Sequence, residues 1–161
     1  MLKVYLDSSV IVKRYVSETD SLVVDYVFDK GWAGELSMAT SIWNFGEVLG
    51  VLDERRRRKW LSEEEFTKVL ENFTSEIIRL LHLKILEVFP VLNTMLVETW
   101  PLILKEHIYE ADALQIQTCV YSGSDVLLSS DKNLVSAAQK TGLKAVNIKD
   151  ENRVRELISR K

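Results

Sequence analysis

The stretch Leu2-Lys3-Val4-Tyr5-Leu6-Asp7-Ser8-Ser9-Val10-Ile11-Val12 reads as a short apolar strand that delivers a carboxylate into the start of a helix. Val4, Tyr5 and Leu6 favour extended backbone, and after the two serines Val10, Ile11, Val12, Tyr15 and Val16 return at helical spacing. The same pattern recurs at Val126-Leu127-Leu128-Ser129-Ser130-Asp131, followed by Leu134, Val135, Ala137 and Ala138. Other short runs rich in Val, Ile and Leu lie at 83–89 and 145–148, with a weaker strand at 35–39. Strands apolar on both faces, alternating with helical segments, predict a mainly parallel sheet wrapped by helices, an α/β sandwich. Asp7 and Asp131 then stand at carboxyl ends of strands, the edge where open parallel sheets hold ligands. Capping the following helix is the plainer role for each.

A chain of 161 residues with 47% hydrophobic content suffices for one core, so a single domain over 1–161 is expected. Ser62-Glu63-Glu64-Glu65 reads as a capping box opening a helix to about Leu81, and Gly123 and Gly142 read as helix stops. Pro90 suits a helix start and Pro101 a kink or break. The lone Cys119 has no partner for a disulfide and reads as a buried thiol in a reducing compartment. No segment approaches the roughly 20 apolar residues of a membrane span, and no charged leader precedes the first strand. The expectation is an unprocessed cytoplasmic protein. A net charge of −3 excludes nucleic-acid binding through overall positive charge. A local patch remains in Arg55-Arg56-Arg57-Arg58-Lys59, either a solvated helix end or an RNA-backbone contact.

Two further acids lie within helices. Glu47 shares a line with Trp43 and Val51, although the opposite stripe of Ile42, Phe45, Leu49 and Leu52 is an equally good buried face. Asp112 lies in a line with Ile108, Ile116 and Cys119 or Val120, where a charge demands a partner, be it a buried arginine, a neighbouring helix that it caps, or a metal ion. Two acids at strand ends and two on inward helix faces could assemble an acidic cavity. Clustered carboxylates raise one another's pKa values and are best sustained by a hard divalent cation, Mg²⁺ or Mn²⁺, one or two ions. With no His-Glu-x-x-His, no cysteine pair and only His82 and His107, zinc is not expected.

At these residues the chain resembles the PIN-domain family, and within it the VapC-type toxins. The resemblance is carried by Val4-Tyr5-Leu6-Asp7-Ser8-Ser9-Val10, by Ser41-Ile42-Trp43-Asn44-Phe45-Gly46-Glu47-Val48-Leu49, by Tyr109-Glu110-Ala111-Asp112-Ala113-Leu114, and by 126–134 with Gly142-Leu143. It implies a three-layer α/β/α fold and a metal-dependent endoribonuclease, the toxin of a type II toxin–antitoxin pair, with products bearing 5′-phosphate and 3′-hydroxyl ends. Asp7, Glu47, Asp112 and Asp131 fall on the four acidic positions. Ser129 matches a hydroxyl position before the last acid, and Ser8 is expected to support the first. Asn133 stands where some relatives carry another acid, and 61–81 exceeds the compact relatives in length. RNA contacts are expected from Lys13, Arg14, Arg55, Arg56 and Lys132, and an antitoxin and a second copy of the chain are the expected partners.

Two rivals fit less well. A phosphorylatable receiver domain needs more than one acid near the first strand end and a positioned lysine, and a dinucleotide-binding domain needs Gly-x-Gly-x-x-Gly where Asp7-Ser8-Ser9 stands. Within the same fold, a nuclease of RNA processing or quality control, or a non-catalytic scaffold binding RNA or protein, remains an alternative.

Overall fold

The first strand, β1 (Leu2–Leu6), forms the centre of a five-stranded sheet in the computed structural model, which describes residues 1–159. β2 (Leu36–Ser41) and β3 (Leu86–Phe89) extend the sheet on one side, β4 (Val126–Ser129) and β5 (Ala145–Asn147) on the other, in the order β3-β2-β1-β4-β5. Every neighbouring pair is parallel. Because the chain builds outward from β1 first one way and then the other, the carboxyl ends of β1 and β4 flank the point where strand order reverses.

Strand residues alternate between two cores. Val4, Leu6, Leu36, Met38, Val126, Leu128 and Val146 face one cluster, into which α1 (Ser8–Tyr15), α2 (Ser21–Trp32), α3 (Ile42–Arg57), α4 (Glu63–His82) and α8 (Glu151–Ser159) send their apolar sides. Tyr5, Ala39, Leu127 and Ala145 face the other, covered by α5 (Asn93–Glu106), α6 (Glu110–Tyr121) and α7 (Lys132–Lys140). The result is the expected three-layer α/β/α sandwich, with apolar residues on both faces of each central strand.

Local signals set the helix ends. Ser62 accepts from the Glu65 amide at 3.1 Å while the Glu65 carboxylate accepts from the Ser62 amide at 2.8 Å, so the capping box is complete. Gly123 and Gly142 take φ of +64° and +89° just beyond α6 and α7, a conformation that a Cβ would strain. Pro101 lies inside α5 without breaking it. The donor it lacks would have bonded the carbonyl of Val97, four residues back, and both residues lie on the exposed side of the helix, where solvent can serve that oxygen. Among the described residues no helix is long and apolar enough to cross a membrane. Cys119 is buried, and burial pushes its thiol up to about 12, which makes it an inert core residue.

Replacing Ser62 with alanine removes one partner of the capping box, with an expected loss of about 1 kcal/mol in urea unfolding and an unchanged m-value. A loss within error of zero would show that tertiary packing alone holds the start of α4.

Candidate active site

Leu6 pairs with Leu128 in the β1–β4 ladder, so the next residues, Asp7 and Ser129, emerge side by side at the carboxyl edge of the sheet. Asp7 is only 4% exposed. One carboxylate oxygen, Oδ1, caps α1 by accepting from the Val10 amide at 3.1 Å and also accepts from the Ser9 hydroxyl at 2.7 Å. The other, Oδ2, accepts from the Ser129 hydroxyl at 2.6 Å. Capping and site formation are thus one arrangement. Burial pushes the Asp7 carboxyl up to about 6, against the pull of these three donors and with the charge of Glu47 adding to the rise.

The serine next to Asp7 in sequence, Ser8, is not the supporting hydroxyl; Ser9 is, because the first turn of α1 carries the residue two positions on back over the cap. Ser9 Oγ also accepts from the Ser130 amide at 2.9 Å, and Ser129 Oγ from the Asp131 amide at 2.9 Å, so two hydroxyls stitch the β1 and β4 junctions together. Asp131 is exposed and caps α7, its Oδ1 accepting from the amides of Asn133 at 2.7 Å and Leu134 at 3.3 Å.

Glu47 is half-buried on α3. The two stripes read from the sequence are each buried only in part: Leu52 lies in the core with Asn44 and Val48, Phe45 and Val51 pack against it, Ile42, Trp43 and Leu49 are exposed, and Glu47 stands on the flank. Asp112 lies half-buried in the first turn of α6, held above the ordinary carboxylate range first by burial and then by the negative charges of Asp131 and Glu47. Glu47 therefore acts on both Asp7 and Asp112, and Asp131 on Asp112.

No lysine, arginine or histidine among the described residues forms an ion pair with any of the four acids. Among the described residues no arginine pairs with Asp112. Nor, among the described residues, do three or more acid, histidine or cysteine side chains close into a ready-made metal cage. In its chemistry the donor set still fits a hard dication, being all oxygen, anionic and without an internal counter-charge. Asp112 and Asn133 both line a hollow of about 440 Å³ that Tyr109 and Lys140 share.

The basic residues expected to meet RNA are mostly engaged elsewhere. Lys13 is buried against Glu18 at 2.6 Å and Asp20 at 3.5 Å, and Arg14 bridges Asp25 at 2.7 Å and Glu76 at 2.8 Å. Arg55 pairs with Glu18, and Arg56 with Asp53 at 2.7 Å while stacking over Phe66. Lys132 is exposed immediately after Asp131 and has no ion pair among the described residues. Both histidines are exposed surface residues, and His107 ends α5 in the left-handed region at φ 54°.

A family model described as PIN domain matches residues 4–140. The chain belongs to the PIN domain family. Its fold is shared by PAE2754 from Pyrobaculum aerophilum, at 15% identity over 96% of this chain and 90% of that one, with a TM-score of 0.66. VapC20 of Mycobacterium tuberculosis, a sarcin–ricin loop cleaving toxin, superposes with a TM-score of 0.58 at 14% identity, covering 83% of this PIN domain and 94% of its own chain. VapBC2 from Rickettsia felis, bound to a DNA fragment from their promoter, gives 0.61 at 12% identity over 91% and 98%. No curated protein matches the sequence.

The folded PIN domain binds the Asp7 proton more tightly than the unfolded chain does, whose value is the ordinary 3.8. Stability from this group is therefore complete below about pH 3.8 and is lost as pH rises through about 6. In chelator, Asp7→Asn is expected to stabilise the protein at pH 7.5 by roughly 1–3 kcal/mol, with the gain shrinking toward pH 4. Thermal unfolding that shows no gain at pH 7.5 would contradict a desolvated carboxylate at this position.

Proposed function

We propose that this chain is a metal-dependent endoribonuclease that hydrolyses RNA phosphodiester bonds and serves as the toxin of a toxin–antitoxin pair. The observation that carries this reading is that Glu47 bears on both Asp7 and Asp112, and Asp131 on Asp112, in a PIN fold where no lysine, arginine or histidine among the described residues forms an ion pair with any of the four. The four carboxylates would hold Mg²⁺ or Mn²⁺, which when bound supplies the Lewis acidity that turns water into a nucleophile near neutral pH and offsets charge building on the phosphate. Ser129 and Ser9 fix the Asp7 oxygens by hydrogen bonds, so that this carboxylate arrives already oriented. Burial and repulsion hold Asp7 and Asp112 at raised pKa values, a strain that loading the site relieves.

Substrate enters from the open side, where Asp131 and Asn133 are exposed at the start of α7. Lys132 is the cation we assign to a flanking phosphate, and Lys13, Arg14, Arg55 and Arg56 we assign to internal ion pairs instead. The toxin role is supported by the shared fold of VapC20 and VapBC2. Exposed apolar side chains on α3 (Trp43, Leu49) and α5 (Trp100, Leu104) suit the antitoxin and the second copy that the role requires.

Purified protein is expected to cleave RNA with Mg²⁺ or Mn²⁺ and to stop in chelator, while Asp112→Asn lowers the rate by about 10²–10³-fold, the scale on which one preorganised charged group acts. Equal cleavage by both proteins in all three conditions would remove the site. For the toxin role, induced expression should arrest growth, and co-expression of a small gene immediately upstream should relieve the arrest.

A further inference from the structure

Beneath the acidic edge runs a chain of buried polar side chains that the chemistry above does not use. Tyr5 donates its hydroxyl proton to Gln115 Oε1 at 2.7 Å, and Gln115 Nε2 donates to Asn44 Oδ1 at 2.6 Å. Asn44 Nδ2 donates in turn to Thr40 Oγ1 at 2.8 Å and to the carbonyl of Leu6 at 3.1 Å, which Thr40 Oγ1 also reaches at 2.8 Å. Tyr5, Thr40 and Asn44 are 0% exposed and Gln115 is 3% exposed. Replacing such a chain with apolar side chains of the same shape can be nearly neutral for stability, because buried polar groups first lose their hydration. What it adds is direction.

The elements it ties together are the ones that carry the acids. The Leu6 carbonyl belongs to the peptide bond leading into Asp7, Asn44 precedes Glu47 by three positions on α3, and Gln115 follows Asp112 by three on α6. Residues three apart share a helix flank, so each helix turns an amide inward where the next turn presents its acid. Apolar packing links the two helices through the sheet between them: Val48 and Leu52 of α3 belong to one core and Ala113, Ile116 and Cys119 of α6 to the other, on opposite faces of the sheet. The Gln115–Asn44 hydrogen bond crosses from one to the other past the strand ends. Its polarity is also fixed, since the Leu6 carbonyl can only accept, which orients Asn44 and thereby Gln115.

We infer that Asn44 and Gln115 are positioning residues whose amide pair sets where Glu47 and Asp112 stand relative to Asp7. The inference rests on the nuclease reading of those acids. Displacement of a reacting group by about 1 Å can cost up to about 100-fold in rate, so the pair is expected to govern turnover and metal affinity far more than folding.

The test is a triple variant, Tyr5→Phe/Asn44→Leu/Gln115→Met, which replaces the polar chain with apolar groups of similar shape. Thermal unfolding should stay within a few degrees of wild type, while kcat falls by about 10- to 100-fold, KM for RNA changes less than about 2-fold, and Mn²⁺ affinity read by electron paramagnetic resonance weakens. A purely structural role would lower the melting temperature and leave kcat and Mn²⁺ affinity of the folded protein unchanged, which would overturn the inference. If the triple variant does not fold, the single Gln115→Met variant is judged on the same two quantities. Wild-type protein that neither cleaves RNA nor binds Mn²⁺ would overturn the nuclease reading and this inference with it. Active wild type alongside an unchanged variant would overturn the inference alone.

Discussion

A carboxylate taken out of water at the end of a strand must be compensated, and most of the local architecture around Asp7 follows from that requirement. Three donors converge on its two oxygens, from the first turn of α1 and from Ser129 across the β1–β4 ladder. They do not fully offset the desolvation, since the group still titrates near 6. The remaining imbalance is shared with Asp112, which is raised by its own burial and by the charges of Asp131 and Glu47. This edge therefore carries an electrostatic cost that the protein's own groups leave partly uncompensated.

Elsewhere the cations drawn inward are paired. Arg14 reaches Glu76 and Asp25, Lys13 and Arg55 both meet Glu18, and the arginines at the end of α3 find acids one turn back. Positive charge is tied up around α1, α3 and α4, in the layer built on the first core. Lys59, Lys68, Lys84, Lys132, Lys144 and Lys149 have no ion pair among the described residues, and of these Lys132 stands next to Asp131, in a protein whose net charge is −3.

What could be read from the sequence was what is local. Strand-acid-helix junctions at Asp7 and Asp131, the capping box at Ser62 and the glycine stops all involve residues within a few positions of one another. The parallel order followed from apolar runs alternating with helices. The face of α3 was not legible, because a buried Asn44 breaks the apolar stripe and is satisfied by Gln115, 71 positions away. Ser9 was missed for Ser8 because the choice depends on the geometry of a single helical turn. The role of Arg14 turns on Glu76, 62 positions distant, a pairing that no spacing rule announces. Pro101 does not break α5, whose other residues are anchored through Met95, Thr99 and Leu102, so that tertiary packing outweighs a single lost bond.

The sheet also carries a consequence for self-association. Its two outer strands, β3 and β5, are only four and three residues long. Glu87 projects from the former in partnership with Lys3. Rows of unpaired amides this brief are poor templates for a neighbouring chain, so continuous ribbons of stacked molecules are disfavoured even when the protein is concentrated. Copies that meet must do so through side chains on their helices, where recognition can be selective and reversible.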